Sequence, residues 1–219
     1  MDNPVTGSGA RRTRAKICGL TRAADMTAAG ELGADAVGLV FYEHSPRAVG
    51  IDQAGQLLAA LPPFVTSVGL FVNAEVSFVR RVLAELPLHM LQFHGEEPPE
   101  YCGSFQRPWL KAVRMRPGTD LPLVARRYSG AAALVLDAFD PTVAGGSGRA
   151  FDWDLIPASM AGRIILAGGL NPENVADAVQ RVRPYGVDVS GGVESAKGVK
   201  DRSKIAAFIE RVRDGDDLR

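Results

Sequence analysis

Arg163-Ile164-Ile165-Leu166-Ala167-Gly168-Gly169-Leu170, then Asn171 to Val182, then Val187-Asp188-Val189-Ser190-Gly191-Gly192-Val193: this stretch contains, twice, the unit from which the whole chain is built. A short apolar run ends in a glycine pair, a segment with helical spacing follows, and a second short run ends in another glycine pair. Apolar runs without clean alternation suit parallel strands covered on their outer face by helices. Parallel pairing needs a crossover, and Pro172 to Val182 supplies one, with Asn171 predicted to cap it and Pro172 at its first helical position.

Outward from that stretch, similar runs are found at Ala15 to Cys18, Ala36 to Phe41, Thr66 to Val72, Met90 to Phe93, Leu110 to Met115 and Ala132 to Leu136. Helical spacing of apolar residues marks Arg22 to Leu32, Asp52 to Leu61, Glu75 to Leu86, Asp120 to Tyr128 and Ser203 to Val212, with Asn73 a predicted cap for the helix near Glu75. The crossovers around Pro98 to Phe105 and Phe151 to Met160 are short. Eight strand and helix units predict an α/β fold, a single (β/α)8 barrel. A doubly wound open sheet would show the same alternation, but the count favours the barrel.

The chain has 219 residues, enough for one sizeable core and too few for two comfortable domains. Residues 1–14, rich in Gly, Ser and Arg, are read as a flexible leader and residues 15–219 as the catalytic barrel. Lys plus Arg and Asp plus Glu each number 25, so nothing in the overall charge favours nucleic acid or an anionic membrane. No apolar run reaches membrane-spanning length, and the first residues lack the apolar segment of a secretory signal. Cys18 and Cys102 are far apart with no metal-type spacing, which argues against a zinc site or disulfide framework and for a reducing cytoplasm. The sequence suits a monomer and a homodimer equally.

In a (β/α)8 barrel the active site lies at the C-terminal ends of the strands. Gly168-Gly169 and Ser190-Gly191-Gly192 follow the seventh and eighth runs, and Gly145-Gly146 follows the sixth. Each pair alone is a tight turn; together, at these positions, they predict backbone N–H groups converging on a phosphate. Cys18 ends the first run and Asp137 the sixth, so the phosphate cradle lies on the arc between thiol and carboxyl. A phosphosugar held there reaches both, which suggests general base and general acid chemistry with Cys18 deprotonated and Asp137 carrying a proton. Alone, either residue is as well explained by packing or loop capping. Lys16 shares the strand face of Cys18 and would favour a thiolate there or hinder a protonated Asp137, depending on its partner; Asp188 is a candidate to balance it. Arg47, in Ser45-Pro46-Arg47, is either an exposed arginine or a planar clamp for a substrate carboxylate. His94 either contacts substrate or closes the barrel end through hydrogen bonds.

Several of these motifs together resemble the phosphoribosylanthranilate isomerase family of tryptophan biosynthesis: Lys16-Ile17-Cys18-Gly19-Leu20-Thr21, Ser45-Pro46-Arg47, Val68 to Asn73, Leu91-Gln92-Phe93-His94-Gly95, Gly145 to Gly148 with Phe151-Asp152-Trp153, Ala167 to Leu170, Asp188 to Glu194, and Lys200-Asp201. The resemblance implies an Amadori rearrangement of N-(5-phosphoribosyl)anthranilate to 1-(2-carboxyphenylamino)-1-deoxyribulose 5-phosphate, with Cys18 as base, Asp137 as acid, Arg47 on the anthranilate carboxylate and phosphate on the loops after strands seven and eight. It implies a small-molecule phosphoribosyl substrate and neither metal nor organic cofactor. Two departures are Gly191, where the family usually has serine, and Glu43-His44 before Ser45. A related histidine-pathway isomerase would need a second phosphate site after the early strands, where no glycine cradle is found. A silent phosphoribosyl sensor would not need both Cys18 and Asp137.

Overall fold

A computed structural model of the chain describes residues 12–138 and 151–218. Strands β1 (Arg14–Cys18), β2 (Ala36–Val40), β3 (Thr66–Phe71), β4 (Met90–Phe93), β5 (Trp109–Met115), β6 (Ala133–Ala138), β7 (Ile164–Leu166) and β8 (Gly186–Val189) pair in parallel in sequence order, and β8 closes on β1. The crossovers contain helices α1 (Ala23–Leu32), α2 (Ile51–Ala59), α3 (Val76–Glu85), α4 (Pro99–Gly103), α5 (Leu121–Arg127) and α6 (Val175–Val182); α7 (Arg202–Asp217) follows β8. The expected (β/α)8 barrel is the fold. Among the described residues no helix is long and apolar enough to cross a membrane.

Side-chain parity divides each strand between two environments. Outward residues such as Ile17, Leu39, Phe71, Leu91, Leu136 and Val187 join the helices in the main core. Inward residues Val68, Leu110, Ala112, Val135 and Ala167 form a smaller cluster inside the barrel. Other inward positions, on β1, β6 and β8, carry Lys16 and Cys18, Asp137, and Asp188, all buried. Polar groups inside a barrel are costly unless paired, so each of these requires a partner there.

Several local features differ from the sequence expectation, each for a visible reason. Thr13 is buried, and its backbone N–H and hydroxyl donate to the Asp216 carboxylate at 2.7 and 2.8 Å, while Arg14 already belongs to β1. Residues 12–14 are therefore barrel rather than leader; residues 1–11 lie outside the described residues. Helix α6 starts at Val175, not Pro172, because Asn171 caps the preceding turn: its Oδ1 accepts from the backbone N–H groups of Glu173 and Asn174. Asn174 Nδ2 in turn donates to the Gly169 carbonyl at 2.9 Å, tying the helix start to the loop after β7. Asn73 does not cap α3 either. It adopts φ 48° and accepts from the Glu96 N–H at 2.7 Å, joining the loops after β3 and β4. The short crossovers are a five-residue α4 and, before β7, 3₁₀ turns at Trp153–Leu155 and Ala158–Arg163. A small antiparallel ribbon, β9 (Glu194–Ala196) with β10 (Val199–Lys200), precedes α7, whose N-terminus is capped by Asp201.

Candidate active site

A cavity of about 270 Å³ opens at the C-terminal ends of the strands. Cys18, Arg47, His94, Asp137, Gly168, Gly169, Ser190, Gly191 and Gly192 all line it, so the sequence candidates among the described residues come together in one place. Gly145 and Gly146 lie outside the described residues. Strand order in the closed ring puts β7 and β8 between β6 and β1. The Gly168-Gly169 and Ser190–Gly192 loops therefore occupy the arc between Asp137 and Cys18.

Two glycines are required by close approach. At Gly168 (φ 76°) a Cβ would lie 2.3 Å from the Ala138 nitrogen and 3.0 Å from Asp137 Oδ1, so a side chain there would displace the carboxyl. At Gly38 a Cβ would lie 2.7 Å from Cys18 Sγ and 3.2 Å from Lys16 Nζ. Gly38 sits opposite Cys18 in the β1–β2 register and leaves the space that both side chains use.

Lys16 is paired with Asp188, its register partner on β8: Nζ donates to both carboxylate oxygens at 3.0 Å. Burial acts to lower the Lys16 pKa, but the Asp188 carboxylate and the neighbouring Cys18 outweigh it and hold the ammonium above its ordinary value. Lys16 thus acts on the thiol side of the cavity. Burial pushes the Cys18 thiol above its ordinary value, with the Lys16 charge pulling the other way and Asp188 adding to the rise. The balance of these effects favours the thiol form of Cys18, and positive potential in the cavity shifts it toward the thiolate.

On the opposite wall, Asp137 Oδ1 accepts its neighbour Ala138's N–H at 2.9 Å, and Oδ2 lies 3.1 Å from His94 Nε2. His94 Nδ1 lies 3.2 Å from Gln92 Nε2. The amide donates there, so this contact makes Nδ1 the acceptor and leaves Nε2–H to donate to Asp137. His94 is therefore both a cavity residue and a hydrogen-bonded barrel-end residue. Gln92 was missed by sequence reasoning, although a polar residue two places before His94 on a buried strand carries the signal of a shared face.

Arg47 is not an exposed arginine. Its side chain is largely buried, and Nε and Nη2 donate to the two carboxylate oxygens of Glu194 at 2.7 and 2.8 Å. Lys200, fully buried, donates to Glu194 Oε1 at 2.8 Å and to the Ser190 carbonyl at 3.0 Å. Sequence analysis assigned neither Glu194 nor Lys200 a role. The ribbon that brings them together has strands of three and two residues, too short to leave a pattern. Apolar side chains of Val40, Tyr42, Leu70 and Val72 line another part of the wall. Among the described residues no group of three or more His, Cys, Asp or Glu side chains is placed to hold a metal ion.

A parallel eight-stranded barrel with a thiol, a carboxyl and glycine loops around one rim cavity defines the class: a (β/α)8-barrel enzyme with its cavity at the C-terminal ends of the strands. The family model of N-(5'-phosphoribosyl)anthranilate isomerase matches residues 15–211, and the chain belongs to this family of isomerases, which serves tryptophan biosynthesis. A relative of that name from Nitrosococcus oceani is 58% identical over 201 residues, covering 92% of this chain and 98% of that protein. Another, from Pseudomonas putida, is 56% identical over 200 residues, covering 91% and 97%. Among solved structures, the phosphoribosyl anthranilate isomerase of Thermotoga maritima superposes with a TM-score of 0.84 at 41% identity, covering 92% of this chain and 98% of that one. A phosphoribosyl anthranilate isomerase solved in complex with reduced 1-(o-carboxyphenylamino)-1-deoxyribulose 5-phosphate gives a TM-score of 0.80 at 39% identity, with the same coverage.

Proposed function

We propose that this chain isomerises N-(5'-phosphoribosyl)anthranilate to 1-(o-carboxyphenylamino)-1-deoxyribulose 5-phosphate, with Asp137 as general acid and Cys18 as general base. The observation that carries the assignment is the convergence of Cys18 and Asp137 on one cavity, with the Gly168-Gly169 and Ser190–Gly192 loops on the arc between them. Those loops offer backbone N–H groups for the phosphate. The apolar wall of Val40, Leu70 and Val72 suits the anthranilate ring, and Arg47 suits its carboxylate.

Asp137 gives a proton to the furanose ring oxygen, the C1′–O bond breaks, and the anilinic nitrogen becomes an iminium. The His94 Nε2–H, donating to Asp137, steadies the carboxylate left behind. The iminium acidifies the C2′ proton and brings a positive charge to the cavity, which draws the buried Cys18 toward its thiolate. Cys18, having released its own proton to solvent, removes the C2′ proton as thiolate; the C2′–H pair forms the C1′=C2′ bond, the iminium π pair returns to the nitrogen, and the resulting enolamine tautomerises to the ketone. The substrate is its own electron sink, so this scheme needs no cofactor. A reducing, cytoplasmic setting suits it, because Cys18 and Cys102 are both free thiols.

The test is turnover of freshly made substrate, followed by loss of anthranilate-type fluorescence. Cys18→Ala and Asp137→Asn are each expected to lower kcat by at least ~10²–10⁴-fold with a smaller change in KM. Near-wild-type kcat in either variant removes that residue from the scheme.

A further inference from the structure

Arg47 can grip a carboxylate only if its guanidinium is held with a fork facing the cavity, and a long flexible side chain on a loop after β2 does not hold itself there. The planar group has two bidentate edges, one formed by Nε and Nη2 and the other by Nη1 and Nη2. Glu194 occupies the first edge completely, with both oxygens at 2.7 and 2.8 Å. No other side-chain hydrogen bond of Arg47 is present among the described residues, which leaves the second edge for a ligand. Glu194 is itself fixed: its side chain is 6% exposed, and the fully buried Lys200 holds Oε1 at 2.8 Å. Lys200 also donates to the Ser190 carbonyl at 3.0 Å and its hydroxyl at 3.3 Å. One buried carboxylate therefore links the arginine on the β2 loop to the loop that follows β8.

We infer that Glu194 is a positioning residue for substrate recognition, presenting the free edge of Arg47 to the substrate carboxylate and, through Lys200, setting that edge in register with the phosphate loop at Ser190. The inference rests on the carboxylate reading of Arg47 given above. The opposed charges explain why Glu194 can stay ionised where it is: burial would push its carboxyl up, but hydrogen bonds from Arg47 and Lys200 and their charges hold it below the ordinary range. Burial likewise pulls the Lys200 ammonium below its ordinary value, with Glu194 opposing. Lys200 on its own would therefore make a weak anchor, and the carboxylate gives it a reason to remain charged.

A double-mutant cycle between Arg47 and Glu194, read in KM and kcat with freshly made N-(5'-phosphoribosyl)anthranilate, tests this. Arg47→Ala and Glu194→Gln are each expected to raise KM by ~10-fold or more with a smaller change in kcat, and Glu194→Gln is expected to raise KM no further in the Arg47→Ala background. A general loosening of the ribbon, or an effect passing only through Lys200, would persist in that background. If the KM effects multiply, or if Glu194→Gln keeps wild-type KM while Arg47→Ala raises it, the positioning role is overturned and the carboxylate reading stands. Unchanged KM in Arg47→Ala overturns the carboxylate reading and the inference with it. Should Glu194→Gln fail to fold, Glu194→Asp, which keeps the charge for Lys200 but shortens the reach to Arg47, enters the same cycle with the same expected non-additivity.

Discussion

The barrel contains the same set of groups twice, and only one of the two sets faces the cavity. In the interior, Lys16 pairs with Asp188 at 3.0 Å beside Cys18. Outside the sheet, Lys111 on β5 pairs with Glu97 at 2.8 Å beside Cys102. In each set a buried cysteine is raised by desolvation while the nearby lysine opposes the rise, and Cys102 reaches about 11. The difference is parity: Lys111 alternates with the inward Leu110 and Ala112, so it points to the helices, where it donates to the Gly95 carbonyl at 2.6 Å. Glu97 there accepts the N–H groups of Asn73 and Gly95, so that set braces the loops after β3 and β4. A thiol, a lysine and a carboxylate are therefore insufficient for chemistry. Access to a cavity gives one set a function that the other lacks.

Alkylation should separate the two cysteines by the widest margin. Cys18 lines the cavity, whereas Cys102 has no exposed surface. Iodoacetamide on the folded protein is expected to label Cys18, slowly at neutral pH and faster above the ordinary thiol value, because its thiol is held up. Cys102 must wait for opening of the structure and should react on the order of a thousandfold more slowly or less. Equal labelling in peptide mass spectra would break the comparison.

Removing one partner of each pair is the next step down. Lys16→Met and Lys111→Met both leave a buried carboxylate uncompensated, and each is expected to cost about 3–5 kcal/mol in urea unfolding. Their effects on Cys18 should differ. Lys16→Met removes the charge that lowers the thiol and leaves Asp188, so alkylation of Cys18 should shift to higher pH; Lys111→Met should leave that profile in place. Matching shifts in both variants would mean that Cys18 responds to overall loosening rather than to Lys16.

Strand and helix periodicity made the barrel legible, because parallel strands buried on both faces must be short apolar runs and crossovers must be amphipathic. The cavity was legible where chemistry sits at a strand end, as with Cys18, Asp137 and the glycines after β7 and β8. What could not be read was pairing between distant segments. Glu194 and Lys200 are ordinary charged residues until a ribbon of a few residues places them under Arg47. Asn73 and Asn171 look like helix caps because a cap and a loop staple use the same side-chain oxygen; the choice depends on which N–H groups the fold brings near. Thr13 illustrates the same limit, since nothing near it in sequence announces Asp216 on the last helix.

The smallest expected effect concerns Glu194, which differs from both Asp188 and Glu97 in having two cationic side chains, Arg47 and Lys200, on one carboxylate. Its folded-state pKa lies below the ordinary 4.5. On acidification the unfolded chain takes up this proton first, so the stability contributed by the ionised carboxylate is complete above 4.5 and is lost as the pH falls through the lower folded value. Glu194→Gln cannot titrate. The gap in unfolding free energy between wild type and Glu194→Gln is therefore expected to be widest at neutral pH and to narrow steadily below 4.5, as read from urea unfolding at successive pH values. A gap that stays constant through that range would mean that the two cations do not hold Glu194 in its ionised form. Arg47 would then lose the charged partner on which its fixed orientation depends.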